Sequence, residues 1–102
     1  MAKKSRQRPS VHPGEILGQD LMRPLGLSIN RLARELRVPV TRMSEIVNGR
    51  RSITANTALR LARYFGNSPQ FWMNLQAAYD LDVVTRASAE QIVRDVRPRE
   101  AA

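Results

Sequence analysis

The chain has 102 residues, of which 42% are hydrophobic, so it is long enough for one modest core but not for two. Its 17 basic and 9 acidic side chains give a formal net charge of +8, and the absence of cysteine excludes disulfide frameworks, zinc–thiolate sites and thiol catalysis. No apolar segment typical of a secretory signal follows the basic start, and no apolar run is long enough to span a membrane, so we expect a soluble, cytoplasmic protein.

The first predicted helix spans about Pro13 to Met22. Leu17 and Leu21 form an i, i+4 apolar pair on it, and Pro24 is expected to end it. Residues 1–11 come before this helix and are expected to form a flexible basic arm.

Two short helices joined by a tight turn follow, and the rest of the chain is organised around them. The first of the two, about Ser28 to Leu36, has one apolar face with the helical spacing i, i+3, i+4 and i+7, formed by Ile29, Leu32, Ala33 and Leu36. Ser28 is its expected N-cap. Pro39 disfavours helical backbone at Val38 and can itself open the second helix, about Val40 to Val47.

The second helix of the pair has an unusual outer surface. Only Met43, Ile46 and Val47 are expected to point inward, and the outer side chains are short and chemically mixed instead of long and charged. Hydroxyl, carboxylate and methyl groups of this kind suit the edges of bases in a major groove. The residues predicted to read bases are Val40, Thr41, Ser44 and Glu45. The residues predicted to contact phosphates are Arg42, Asn48, Arg50 and Arg51. A buried helix followed by a helix with an outward N-terminal half is the helix-turn-helix arrangement.

Two further helices are predicted after the pair. Thr54 is an N-cap candidate for the fourth, whose apolar face consists of Ala58, Leu61, Ala62 and Phe65, and Gly66 closes it. The fifth begins with Ser68 as cap and Pro69 in the first position, and it is expected to run to about Val84.

The fifth predicted helix is apolar on two faces, and such a helix needs two partners. Phe71, Trp72 and Leu75 are expected to close the core. The second apolar set exceeds what a domain of this size can cover, and paired recognition helices suit operators with two half-sites. We therefore predict a homodimer, with an interface formed by Met73, Ala77, Leu81 and Val84.

Three segments result from these predictions. Residues 1–11 are the arm, residues 12–87 the DNA-binding domain, and residues 88–102 a tail. The tail either forms a short extra helix that ends before Pro98 or is disordered. The predicted fold is an all-α, compact five-helix domain.

The positive charge is concentrated in two stretches. Residues 1–12 hold four basic side chains and no acid, and residues 23–53 hold seven arginines against two glutamates. A basic arm alone is compatible with a solubilising surface. Because the second stretch coincides with the helix pair, the distribution favours phosphate neutralisation on nucleic acid.

The sequence offers no catalytic constellation, so we expect no enzyme and no cofactor. The single histidine, His12, precedes the first helix and is expected to be an exposed loop residue or a helix-entry contact, since no metal ligands accompany it. Asp80 and Asp82 are two residues apart on a helix and point in different directions, which disfavours a paired acid and base.

Several segments resemble known families. Residues 28–66 resemble the lambda-repressor-like helix-turn-helix domain of the Xre/Cro superfamily, which has hydrophobic or small residues at the positions of Leu32, Ala33, Val38, Met43, Ile46 and Gly49. A longer and more specific resemblance, over roughly residues 12–84, is to antitoxins of the HigA/VapI group. The segments that carry it are HPGEIL (12–17), NGRRSIT (48–54), ALRLARYFG (58–66) and SPQFWMNLQAAYDL (68–81). The chain departs from the superfamily where Arg37 and Pro39 replace the usual glycine of the turn and the usual serine or threonine cap.

The resemblance implies a double function. HigA-type antitoxins bind and silence a cognate HigB toxin, a RelE-like ribonuclease that cleaves mRNA, and they repress their shared promoter. The resemblance therefore implies double-stranded operator DNA and a HigB-like toxin as partners. The alternatives are a stand-alone repressor and an adaptor that binds only protein.

Overall fold

The computed structural model describes residues 10–100, and within that range the chain forms five helices and no strand. The all-α prediction is confirmed. Most of the basic arm predicted at residues 1–11 lies outside the described range, which includes only Ser10 and Val11 of it. None of the helices between residues 10 and 100 has the length and apolar character that crossing a membrane requires.

The first helix, α1, has three consecutive parts. An α-helical turn, Pro13–Ile16, leads into a wider π-helical stretch, Leu17–Met22, and a last turn, Arg23–Leu25, ends at Gly26 with a φ of 66°. The prediction that Pro24 ends this helix is therefore wrong. A proline inside a regular α-helix clashes with the carbonyl four residues earlier, and the π-helical stretch immediately before it changes that spacing, as the bond from the Arg23 N–H to the Gly18 carbonyl shows.

The predicted helix pair is present with the predicted bounds. Helix α2 is Ile29–Leu36, and helix α3 is Val40–Val47. The Ser28 hydroxyl accepts from the Arg31 N–H at 3.0 Å, so this cap is confirmed. Pro39 is the N-cap residue of α3, with extended backbone, and helical geometry starts one residue later than a proline in the first position would give.

The remaining helices are α4, Ala55–Phe65, and α5, Pro69–Asp95. Their predicted caps are confirmed, because the Thr54 and Ser68 hydroxyls accept from the N–H groups of Thr57 and Phe71 at 3.4 Å and 3.0 Å. The predicted end of α5 near Val84 is wrong. Residues 85–95 contain no proline or glycine, so α5 continues through them to Asp95. The predicted tail, as far as residue 95, is therefore part of α5 and is neither a separate short helix nor irregular.

The helices enclose one core, with the Trp72 side chain fully buried and its Nε1–H donating to Asn67 Oδ1 at 2.9 Å. The other fully buried hydrophobic residues are Leu17, Leu32, Ala33, Met43, Ile46, Ile53, Ala58 and Leu61. Leu75 packs against this core as predicted. Phe71 does not close it, since 40% of that residue is exposed and its ring only meets the Trp72 ring edge-on. The inward stripe of α5 starts at Trp72, and Phe71 lies one residue, about 100°, to its side.

Candidate nucleic-acid interface

Helix α3 is fixed to the body by two side chains and by a close backbone contact. Met43 and Ile46 are fully buried, as predicted. On the other side, the N-terminal turn of α1 lies against the end of α3 so tightly that a Cβ atom at Gly14 would be 1.7 Å from the Ile46 carbonyl oxygen. Helix α3 is therefore held by the core and by α1, and its outer surface has a fixed direction.

The four predicted base-reading residues lie on this outer surface with different exposure. Val40 is 45% exposed and Thr41 is also exposed, whereas Ser44 and Glu45 are half-buried. The N-terminal turn of α3 is thus the most accessible part of the surface, and it presents one apolar side chain beside a hydroxyl.

Glu45 is engaged by an arginine from the loop that follows. Arg51 Nε donates to Glu45 Oε1 at 2.7 Å, and both side chains remain about half exposed. This pair joins a predicted base reader to a predicted phosphate contact across six residues. Sequence reasoning missed it because the loop conformation that brings the two together has no periodic signal.

The other predicted phosphate contacts are on α3, at its end and in the loop after it. Arg50 is exposed and Arg42 is half-buried, and the structure gives neither an ion pair with any residue in the range 10–100. Asn48 is used locally, since its side-chain Nδ2 donates to the Ser44 carbonyl at 2.8 Å. Arg42 thus lies on α3 itself, and Arg50 and Arg51 lie in the loop directly after it.

The loop between α3 and α4 is held at both ends. At its start, the Gly49 and Arg50 N–H groups donate to the Ile46 and Glu45 carbonyls at 3.0 Å and 2.7 Å. At its end, the Ile53 N–H donates to Gln76 Oε1 of α5 at 2.8 Å. No sequence signal pointed to Gln76, because a single glutamine on a long helix is ordinarily exposed.

His12 is buried beside this loop. Of its two predicted roles, an exposed loop residue and a helix-entry contact, the second is confirmed. Its Nδ1 accepts from the Gly14 N–H at 2.8 Å, so it caps α1, and its ring meets the Tyr79 ring edge-on at a centroid distance of 4.9 Å. Burial lowers the pKa of His12 below its ordinary value, against the opposing effects of a hydrogen bond with the Arg51 backbone and of the Asp80 charge. The histidine is therefore neutral in the folded protein near pH 7.

The predicted dimer residues divide into two groups. Leu81 and Val84 are 69% and 52% exposed, and Ala77 is exposed as well. Met73 is half-buried against the protein's own core. The outer apolar face of α5 in one protomer, defined as Ala77, Leu81 and Val84, is thus uncovered.

No group of three or more histidine, cysteine, aspartate or glutamate side chains between residues 10 and 100 is arranged to hold a metal ion.

Comparison with known proteins identifies the family. A family model described as helix-turn-helix matches residues 19–72, which include α2, the turn and α3. Virulence-associated protein I of Dichelobacter nodosus is 53% identical over 75 residues, which cover 74% of this chain and 69% of that protein. A structure of an addiction module antidote protein of the HigA family from Coxiella burnetii has a TM-score of 0.84 and 47% identity, covering 90% of this chain and all of that one. The chain belongs to the HigA-type antitoxins of the Xre helix-turn-helix family.

One similar HigA structure contains DNA. It is Pseudomonas aeruginosa antitoxin HigA with the higBA promoter, with a TM-score of 0.86 and 41% identity, covering 89% of this chain and 99% of that one. The predicted family, the predicted helix-turn-helix fold and the predicted class of function, a DNA-binding antitoxin, are therefore confirmed for this HigA-type protein.

Proposed function

We propose that this HigA-type antitoxin binds a palindromic operator as a homodimer, represses its own promoter and neutralises a HigB-like mRNA-cleaving toxin. The observation that carries the proposal is the outward surface of α3, on which Thr41 is exposed, together with the arginines of α3 and of the loop after it. In this assignment residues 12–87 are the DNA-binding domain.

The base-reading step uses the N-terminal half of α3. Val40 and the Thr41 methyl group suit a thymine methyl, and the Thr41 and Ser44 hydroxyls can donate to or accept from base edges. Glu45 can accept from a cytosine amino group. Its bond to Arg51 orients the carboxylate before DNA arrives, so reading by Glu45 does not require that a long free side chain be ordered.

The phosphate step uses Arg42, Arg50 and Arg51, with Asn48 at the end of α3. Contacts to phosphates position a protein on the duplex and carry no sequence information, whereas contacts to bases specify the site. The two groups of residues can therefore be separated by experiment at positions where no ion pair joins them, which excludes Arg51, the partner of Glu45.

Pairing of two protomers is proposed through the outer apolar face of α5. Leu81 and Val84 are large aliphatic residues that water surrounds in a single protomer, and covering them with a second copy removes that surface from water. A two-fold pair would place two α3 helices against half-sites separated by about one DNA turn, roughly 34 Å.

Neutralisation of a toxin is proposed on the basis of family membership. The test is co-purification of the tagged chain from its native host, followed by identification of any small bound protein and an mRNA-cleavage assay with and without the chain. A bound ribonuclease that the chain inhibits supports the proposal. Purification of the chain alone, with repression intact, favours a stand-alone repressor.

The DNA-reading assignment is tested by the double variant Thr41→Ala, Glu45→Ala. We expect it to lose its preference for the duplex upstream of its own coding sequence over a scrambled duplex, with residual binding to both. Competition titrations by fluorescence anisotropy measure this preference. The matched variant Arg42→Ala, Arg50→Ala leaves the Glu45–Arg51 ion pair in place, so it should weaken binding to both duplexes alike and flatten the salt dependence by about one to two phosphate contacts. An unchanged preference in the first variant would contradict the base-reading assignment.

A further inference from the structure

Gln76 is a buried polar residue on α5, a helix that lies outside the proposed DNA-reading surface. It is 4% exposed and lies on the inner side of α5, facing the loop between α3 and α4. Burial of an amide costs free energy unless its donors and acceptors are used. Both ends of this amide are used: Oε1 accepts from the Ile53 N–H at 2.8 Å, and Nε2 donates to Asp80 Oδ1 at 3.0 Å and to Ser52 Oγ at 3.3 Å.

These bonds have a consequence for the arginines of the loop. The Arg50 N–H is bonded to the last turns of α3, and the Ile53 N–H is bonded to Gln76. Arg51 lies between the two attachments, and its backbone also bonds His12. The segment that carries Arg50 and Arg51 is therefore fixed at one end by the reading helix and at the other by α5.

We propose that Gln76 is a positioning residue for DNA binding, which holds the loop between α3 and α4 so that Arg50 and Arg51 meet phosphates while α3 lies in the groove. The inference rests on the proposed DNA contacts of these two arginines. In this proposal the inner side of α5 supports DNA binding, and this role is separate from that of the outer apolar face of α5.

The position of Asp80 supports this role. Asp80 is one helical turn after Gln76 on α5 and accepts from its Nε2, which orients the amide so that Oε1 points to the loop. If the amide were reversed, its NH₂ group would face the Ile53 N–H, donor against donor. The pair thus determines which end of the glutamine meets the backbone.

The test compares three variants on the full chain. Gln76→Met keeps the side-chain volume and removes both polar functions. Gln76→Glu keeps the acceptor for Ile53 but sets a second carboxylate against Asp80. The double variant Gln76→Glu, Asp80→Asn exchanges the two functional groups, leaves the net charge unchanged and preserves every bond. In it the new amide at position 80 donates to the new carboxylate at position 76, and the Ser52 hydroxyl can do the same. Leu75→Ala is the matched control, because it weakens the packing of the same helix without touching the loop.

Anisotropy titrations with the duplex upstream of the chain's own coding sequence, at several salt concentrations, measure affinity and phosphate contacts together. They are made at a temperature where circular dichroism shows every variant folded. We expect Gln76→Met to bind about tenfold more weakly, with the slope of log K against log salt reduced by about one. Gln76→Glu should be at least as weak, and the exchange variant should recover most of the affinity. Hydrogen exchange at the Ile53 N–H should be fast in Gln76→Met and slow in the parent and the exchange variant.

The inference is overturned if Gln76→Met binds with the affinity and salt slope of Leu75→Ala. If Gln76→Met does not fold, the comparison of Gln76→Glu with the exchange variant decides, and equal affinities overturn the inference. A parent protein that shows no preference for its upstream duplex and no salt dependence would overturn the proposed function, and this inference with it. A normal parent with an unaffected Gln76→Met overturns only the role of Gln76.

Discussion

At the scale of single residues, Gly14 decides how closely the first helix approaches the reading helix. A Cβ atom there would fall 1.7 Å from the Ile46 carbonyl oxygen, which is a backbone atom and cannot rotate away. Replacement of Gly14 therefore requires that α1 and α3 separate.

We expect Gly14→Ala to destabilise the protein by about 2–3 kcal/mol, as typical overpacking does, and to weaken operator binding because α3 shifts. Gly18→Ala is the control, since a Cβ atom at Gly18 would be 3.4 Å from Val47 Cγ1, an ordinary contact. Urea denaturation measures the stability of both variants, and anisotropy titration measures their operator binding. Equal stabilities of the two variants would contradict the close contact.

His12 predicts a pH dependence of stability. Burial holds the pKa of His12 below 6.5, its value in the unfolded chain, so the neutral form is favoured by folding. Above pH 6.5 both states are neutral and this stabilisation is fully present. As the pH falls below 6.5, the unfolded state takes up a proton that the folded state refuses, and the stability decreases by at most about 1.4 kcal/mol per pH unit until the folded-state pKa is reached.

The variant His12→Asn isolates this effect. Asparagine is a good N-cap and keeps an acceptor for the Gly14 N–H, but it does not titrate. Because His12 is the only histidine, the parent should lose stability between pH 7 and pH 5.5 in chemical denaturation, and the variant should lose much less. Parallel curves for the two proteins would show that His12 is not the group responsible.

Residues with a local signal were predictable, and residues whose role comes from distant contacts were not. The caps Ser28, Thr54 and Ser68 were predicted because a hydroxyl before an apolar period is a local pattern. Gln76 is separated from its loop partner by 23 positions along the chain. Nothing in the residues around it distinguishes a buried amide from an exposed one.

At the scale of elements, the turn between α2 and α3 contains the one non-glycine residue with positive φ in the range 10–100. Arg37 has a φ of 61° where helix α2 ends, a position that glycine commonly occupies. Left-handed backbone costs a residue with a Cβ atom roughly 1–2 kcal/mol. The turn nevertheless forms, because Leu36 and Val38 on either side of Arg37 are buried in the core.

We expect Arg37→Gly to raise the stability by about 0.5–1 kcal/mol, since the relief of strain exceeds the added freedom of the unfolded chain. Thermal denaturation should show an increase of roughly 3–6 °C. Gly66→Ala is the reverse control: its φ is 77° and open space surrounds it, so only backbone strain changes and the stability should fall. A destabilised Arg37→Gly would mean that the arginine side chain contributes more than its backbone costs.

Helix bounds were predictable where a strong local signal existed, and the two errors have a common cause. Local composition predicts helix ends at Pro24 and near Val84. The π-helical stretch before Pro24 and the continuous helix through residues 85–95 depend instead on backbone hydrogen bonding over several turns. The bounds of α2 and α3 were predicted correctly because a cap, a proline and an apolar period agreed there.

At the scale of the whole molecule, the proposed pairing through α5 makes a direct prediction. We expect Leu81→Glu to give a monomer, because a two-fold contact sets the new carboxylate close to its own copy in a face otherwise formed by Ala77 and Val84. Operator affinity should fall by about tenfold or more, since only one reading helix then binds at a time. Analytical ultracentrifugation and anisotropy measure the two effects. Leu59→Glu, at an exposed leucine of α4, is the control and should leave the mass unchanged.

Helix α5 runs to Asp95, yet its last buried residue is Gln76. Tyr79 and Asp80 still contact His12 and Gln76, but the turns beyond Asp82 bury no residue. Those last turns can therefore open locally at a small fraction of the free energy that unfolds the whole domain. Proteases cleave segments that open in this way. A lone protomer is thus open to degradation along the same helix that assembly would protect, and its lifetime should depend on how often it is paired.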